Sequence, residues 1–185
     1  MIKMAKRTLL QPDLVLGGTI INLTPQILEQ YHLQGLILDV DETLVSITTP
    51  KVSLELKQWT IAMKQVANIW LVSNNLSKNR IGAIAQELEL PYFLRAQKPS
   101  RRKLRQAVDR MNLPVEKVAM VGDRLFTDVL AGNRLGMFTI LVEPMADPVI
   151  AYRTHPIRNF EVWLSQKLGV SLATHQHDVT NQHNS

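Results

Sequence analysis

Short apolar runs alternate along this chain with longer segments whose apolar residues recur every three or four positions. The runs GLILDV, IWLVSNN, PYFLRA, KVAMVGD and FTILVEP predict buried strands, most of them closed by polar or turn residues. Between them, Ser53 to Asn68, Leu76 to Leu90, Ser100 to Leu113 and Leu125 to Leu135 predict amphipathic helices. Ser53 and Ser100 are suited to cap such helices, and Gly136 to stop one. Thr24 and Pro25 predict the cap and first turn of a short helix reaching about Tyr31, and IRNFEVWLSQKLGV predicts a closing helix. Strands alternating with helices predict right-handed βαβ units. The expected fold class is therefore α/β, a doubly wound, Rossmann-like parallel sheet of about five strands covered on both faces.

In such sheets ligands bind at the carboxyl ends of the strands, near the point where strand order reverses. The unusual polar residues fall at those places. Asp39 ends the first predicted strand, Ser73 the second and Asp123 the fourth, while Lys98 follows the third. The first strand stops at two aspartates one residue apart, Asp39 and Asp41, and burying such a pair costs several kcal/mol unless it is paired or metal-bound. An EF-hand calcium loop also begins D-x-D, but it needs glycine and glutamate where this chain has Leu44 and Pro50.

Phosphoryl transfer accounts for the pair. A carboxylate can attack phosphorus and hold an aspartyl-phosphate intermediate, which splits one difficult displacement into two easier ones. Attack by an anion on an anion calls for a cation between them, and Mg²⁺ suits one or two carboxylates plus a substrate phosphate. Asp39 is the expected nucleophile and a metal ligand, with the Asp41 backbone carbonyl and the Asp123 carboxylate as further ligands. If the extended conformation persists, Asp41 lies on the same side as Asp39, placed to act as general acid and then general base. Ser73, Asn74 and Lys98 are candidate phosphate holders, through a hydroxyl, backbone N–H groups and an ammonium. Thr43 is suited to fix the first loop or to bond the phosphate, and Asp128 to orient Lys98 or a metal-bound water.

The order D-x-D-x-T, then S, then K, then G-D-x-x-x-x-D resembles the four-part signature of the haloacid dehalogenase (HAD) superfamily of phosphohydrolases. The intervals from Thr43 to Ser73 and from Ser73 to Lys98 are filled by one loop, one helix and at most one strand each, so neither holds a cap domain. An open site favours phosphates on large carriers, because small substrates usually need a lid to exclude water. LVSNN, AQKP, VGDRLFTDVLAGNRLGMFTILVEP, the leader LLQPDLVLGGTI and the closing RNFEVWL resemble the bacterial YqeG family of capless members. That family is similar to the mitochondrial and plastid phosphatases that convert phosphatidylglycerophosphate to phosphatidylglycerol, so the resemblance implies that lipid as substrate. One departure is Glu42, where relatives more often carry asparagine.

Charge adds to this picture. The 185 residues carry a net charge of +5, which points to an anionic partner. Arg95, Lys98, Arg101, Arg102, Lys103, Arg105 and Arg110 cluster against a single acid, Asp109, and Lys98 ties that stretch to the expected site. Basic residues at an anionic bilayer contribute about 1 kcal/mol each, so peripheral contact with an anionic phospholipid surface is the expected partner interaction. Nucleic acid is disfavoured, since no aromatic-studded basic strand or known nucleic-acid motif is present. Two readings compete. One is a phosphatase of another macromolecular or small phosphate ester, and the other a basic, Mg²⁺-binding module on RNA or the ribosome without turnover.

With no cysteine, disulfides and thiolate chemistry are excluded. The basic N-terminus has no sustained apolar core, so no signal peptide is expected, and a cytoplasmic location follows, peripheral on the inner face of the membrane. Residues 1–170 are expected to form one capless domain. The polar stretch 171–185, with His175, His177 and His183, is expected to be a disordered tail. The sequence gives no oligomeric state.

Overall fold

The computed structural model of the protein describes residues 9–48 and 51–145. Within them lies a six-stranded, all-parallel sheet in the order β1-β6-β5-β2-β3-β4. The strands are β1 (Leu14–Val15), β2 (Gly35–Leu38), β3 (Asn68–Val72), β4 (Tyr92–Phe93), β5 (Val118–Gly122) and β6 (Phe138–Leu141). The helices are α1 (Pro25–Gln30), α2 (Leu54–Lys64), α3 (Lys78–Leu88), α4 (Arg102–Met111) and α5 (Leu130–Leu135). The predicted closing helix and the tail lie outside the described residues.

Alternation along the strands builds two cores, one per face. Leu36 and Leu38 of β2, Ile69 and Leu71 of β3, and Ala119 and Val121 of β5 pack with Leu56 and Met63 of α2 and Ile81 and Ile84 of α3. Ile37, Val72, Val118 and Met120 point the other way, against Leu104, Ala107 and Val108 of α4 and Ala131 and Leu135 of α5. Strands covered on both faces read as continuous apolar runs, which is why the sequence shows them so plainly.

Order reverses at β2, which leads by α2 to β3 on one side and pairs with β5 on the other. Leu38 lies opposite Val121, so the chain leaves both strands at the same level and Asp39 N donates to the Val121 carbonyl. The crevice is therefore framed by the residues just after β2 and at the end of β5.

The local signals were followed unevenly. Ser53 caps α2, its hydroxyl accepting from Leu56 N at 3.1 Å. Ser100 does not cap α4: Arg101 holds the cap position with no side-chain bond, and Ser100 Oγ reaches only Arg102 N, at 3.5 Å. The cap of α3 is Ser77, so that helix begins later than the period suggests. The predicted helix over Leu125 to Leu135 is divided into a π-helical turn, Leu125–Val129, and α5. Strand β1 is an addition to the five expected, two residues long at the edge beside β6.

Candidate active site

Four of the predicted residues meet at the switch point. Lys98 Nζ lies 2.7 Å from Asp39 Oδ1 and 2.7 Å from Asp128 Oδ1, with all three residues buried. Asp123 joins them: Asp39, Asp123 and Asp128 each offer an oxygen, and these oxygens lie within 4.8 Å of one another. Thr43 Oγ1 donates to Asp123 Oδ1 at 3.2 Å, which fixes the first loop to the end of β5. This is one of the two roles its position allowed.

The backbone has been bent to achieve this. Arg95 and Gln97 both take left-handed conformations, which cost roughly 1–2 kcal/mol each for residues with a side chain. Between them, Ala96 N donates to the Ser73 carbonyl, and Arg95 N donates to the Asn75 carbonyl. Asn74 completes the clamp, its Nδ2 donating to the Lys98 carbonyl and its Oδ1 accepting from Lys98 N at 2.7 Å. The Asn74 side chain thus positions Lys98. Ser73 Oγ accepts from Asn75 N at 3.0 Å and keeps its own proton to donate.

At the end of β5, a Cβ on Gly122 would collide with the Asp128 carboxylate, so only glycine lets Asp128 swing back under the strand end. Asp128 Oδ2 accepts from Arg124 N at 3.3 Å, and Asp128 sits in the π-helical turn. Such bulges are frequent at functional sites, and here the turn carries the carboxylate that faces Lys98.

Electrostatics follow from burial. Burial pushes the Asp39 carboxyl up to about 6, against the pull of Lys98. Burial also works against the Lys98 ammonium, but Asp128 and Asp39 outweigh it and its pKa is raised. The site therefore keeps its ammonium at neutral pH and holds Asp39 near the edge of protonation.

The donor set suits a divalent cation. It is all hard oxygen, drawn from carboxylates on two strand ends and one turn. Asp128 Oδ1 is also buried, with the Lys98 ammonium 2.7 Å away as its charge partner. Because Asp39 must lose its proton to ligate, divalent-metal affinity should rise with pH by up to about tenfold per unit below pH 6, and level off above. In the metal-free protein the same group contributes stability that is present below pH 3.8 and lost as pH rises through about 6. Calorimetry in buffers of different ionisation enthalpy checks this, with proton release on Mg²⁺ addition at pH 5.5 as the expected signal.

Asp41 stands apart from this cluster. The strand ends at Leu38, and beyond it Asp41 forms an isolated bridge with Val45 that closes a tight flap. Its carboxylate accepts from Arg80 and Asn75, two residues that the sequence did not mark out. Glu42 turns the flap in a left-handed conformation (φ 63°), and its Oε1 accepts from Ile47 N at 2.7 Å. Asparagine tolerates that conformation readily. Glutamate here holds it while its longer arm ties down the flap.

Residues 95–144 match the HAD-hydrolase-like family. Over 128 residues the chain is 38% identical to the protein named "Probable phosphatase YqeG" of Bacillus subtilis (strain 168), covering 69% of this chain and 74% of that one. The chain belongs to the YqeG family of HAD-like phosphatases. HAD phosphatases use a divalent metal, in keeping with the carboxylate cluster. Among solved structures, an uncharacterized protein from Listeria monocytogenes serotype 4b is similar at TM-score 0.49 and 18% identity, over 59% of this chain and 78% of that one. The cobalt-bound deoxy-D-mannose-octulosonate 8-phosphate phosphatase of Haemophilus influenzae is similar at TM-score 0.45 and 12% identity, over 74% and 90%. At this distance neither speaks to substrate. The Asp39–Lys98–Asp128 contacts and the neighbouring Asp123 lie at the strand ends, where a parallel sheet of this kind binds its ligands.

Trp59 and Trp70 serve packing. Trp59 Nε1 donates to the Leu23 carbonyl at 2.7 Å, and Trp70 stacks on Phe93 with ring centroids 5.1 Å apart. Arg134 donates to the Pro99 carbonyl, and Arg101 to the Arg134 carbonyl. With Arg102 and Arg105 they line a groove of about 800 Å³ that begins two residues after Lys98. Among the described residues, no helix is long and apolar enough to cross a membrane.

Proposed function

We propose that this phosphatase works through an aspartyl-phosphate on Asp39, with Mg²⁺, and that its substrate is phosphatidylglycerophosphate at the surface of an anionic membrane. The observation that carries the mechanism is the buried Lys98, bonded at once to Asp39 and Asp128 beside Asp123. An Asp39 oxygen attacks phosphorus, the ester P–O bond breaks, and the alcohol leaves with a proton from Asp41. Water then attacks phosphorus, returns a proton to Asp41, and frees inorganic phosphate while the Asp39 carboxylate is restored. Asp39, Asp123 and the Asp41 backbone carbonyl would hold the Mg²⁺, which when bound offsets the negative charge of the phosphoryl group. Lys98, Ser73, Thr43 and the backbone at Asn74 are assigned to the phosphoryl oxygens, and Asp128 to the orientation of Lys98.

Two features support the lipid. Among the described residues, the stretches after β2 and β3 hold only a flap and a helix, with no lid that would exclude a large carrier. The arginine groove continues from the Lys98 loop and offers positive charge to anionic head groups. A cytoplasmic enzyme peripheral on the inner face of the membrane follows from this reading. Phosphate release from phosphatidylglycerophosphate in mixed micelles with Mg²⁺, compared with EDTA and with soluble esters, is the test. Metal-dependent release at least about tenfold faster from the lipid is expected. Release from soluble esters alone would overturn the lipid assignment, and RNA binding without any turnover would favour the binding module.

A further inference from the structure

The carboxylate assigned to the leaving oxygen has both of its own oxygens occupied by protein donors. Arg80 donates to Asp41 Oδ1 through Nη2 at 2.7 Å and Nε at 3.2 Å, and Asn75 Nδ2 donates to Oδ2 at 2.9 Å. Arg80 reaches further, to the carbonyls of Ser46 and Ile47, so one guanidinium joins the first turn of α3 to the flap. Neither side chain is sealed in: Arg80 is 17% exposed and Asp41 20%.

We infer that Arg80 is a specificity-determining residue, which recognises a second anionic group carried by the alcohol part of the substrate. The inference rests on the proposed function, because it takes Asp41 as the group that meets the leaving oxygen. Two successive hydrogen bonds, Arg80 to Asp41 and Asp41 to that oxygen, place the guanidinium about 5–6 Å from the leaving oxygen. A three-carbon linker spans such a gap. Arg80 uses Nε and Nη2 on Asp41 and the Ser46 carbonyl and one N–H of Nη1 on the Ile47 carbonyl, so its other Nη1 N–H is left for a further acceptor. Asp41 Oδ2 takes a single donor and keeps a lone pair for the leaving oxygen, so the Arg80–Asp41 bond stays in place while substrate is held. A phosphodiester on the alcohol brings an anionic oxygen to that N–H and to the guanidinium charge, which a neutral alcohol does not. The contact thus favours doubly anionic substrates over simple monoesters. In phosphatidylglycerophosphate the diester phosphate would be the group recognised.

The structural alternative is that Arg80 only tethers the flap. Two soluble probes separate these roles. One is propyl phosphate. The other is the same three-carbon phosphate monoester bearing a methyl phosphodiester on its far carbon, a group that a monoesterase leaves intact. With Mg²⁺, wild-type kcat/KM should favour the second probe by about tenfold or more. Arg80→Gln should bring the ratio close to one, with Arg80→Lys in between. A flap tether would lower both rates together and leave the ratio unchanged, which would overturn the inference, as would a wild-type ratio of one. If Arg80→Gln turns over too slowly to measure, competitive binding of the two probes to Asp39→Asn and to Asp39→Asn/Arg80→Gln reads the same ratio. Absence of turnover by the wild type on both probes and on the lipid would sink the phosphatase mechanism and this inference together. Turnover with an unchanged ratio sinks the inference alone.

Discussion

Asp39→Asn is expected to lower phosphate release by at least about 10⁴-fold, the scale of loss when a covalent nucleophile is removed. The amide has no lone pair at the nucleophilicity of a carboxylate, and as a neutral group it is a poorer ligand for a divalent ion. The substitution is close to isosteric and leaves Lys98 paired with Asp128 at 2.7 Å, so folding is retained. Phosphate release assayed beside circular dichroism separates chemistry from stability. A variant that stays folded with more than a hundredth of wild-type activity would remove Asp39 from the role of nucleophile.

Lys98→Met is expected to destabilise the metal-free protein by about 3–5 kcal/mol, the range for breaking a buried pair by taking away one partner. The ammonium has only 1% of its side-chain surface exposed and faces two carboxylates at 2.7 Å, so its loss leaves Asp39 and Asp128 against each other in a dry site. Lys98→Met/Asp128→Asn should be more stable than Lys98→Met, because removing the second charge relieves part of that repulsion. Saturating Mg²⁺ should likewise raise the melting temperature of Lys98→Met more than that of the wild type. Denaturant unfolding of the three proteins, with and without Mg²⁺, checks each step. Equal stabilities for the single and double variants would mean that the carboxylates do not feel one another. Activity should fall as well, since the phosphoryl oxygens lose their point charge.

The parts of the molecule legible in the sequence were those that break a strong local rule. GLIL running into Asp39, and VAMVG into Asp123, place carboxylates where a core strand ends, and chance seldom does so twice in one parallel sheet. Lys98 and Asp128 became legible once that frame was set, and their contact fits the expected orienting role. Arg80 was hidden because one arginine in the first turn of an amphipathic helix looks like any solvated residue. Only the flap's path over Asp41 gives it meaning. The same flap holds the Asp41 carboxylate against Arg80 and Asn75, contacts that depend on where the chain runs after the strand ends at Leu38. β1 was missed because two residues carry no period, and the π-helical turn because a single extra residue per turn does not disturb an apolar pattern enough to be read. Ser100 looked like a cap by type, but the loop that presents Lys98 sets where α4 begins.

The stereochemical course at phosphorus tests the covalent role of Asp39 most directly. A phosphorothioate monoester made chiral with two oxygen isotopes, turned over with Mg²⁺ in water of the third isotope, should give inorganic thiophosphate with retained configuration, because displacement by Asp39 and then by water inverts phosphorus twice. Inverted thiophosphate would mean that water attacks the ester directly, and Asp39 would then serve only to bind the metal.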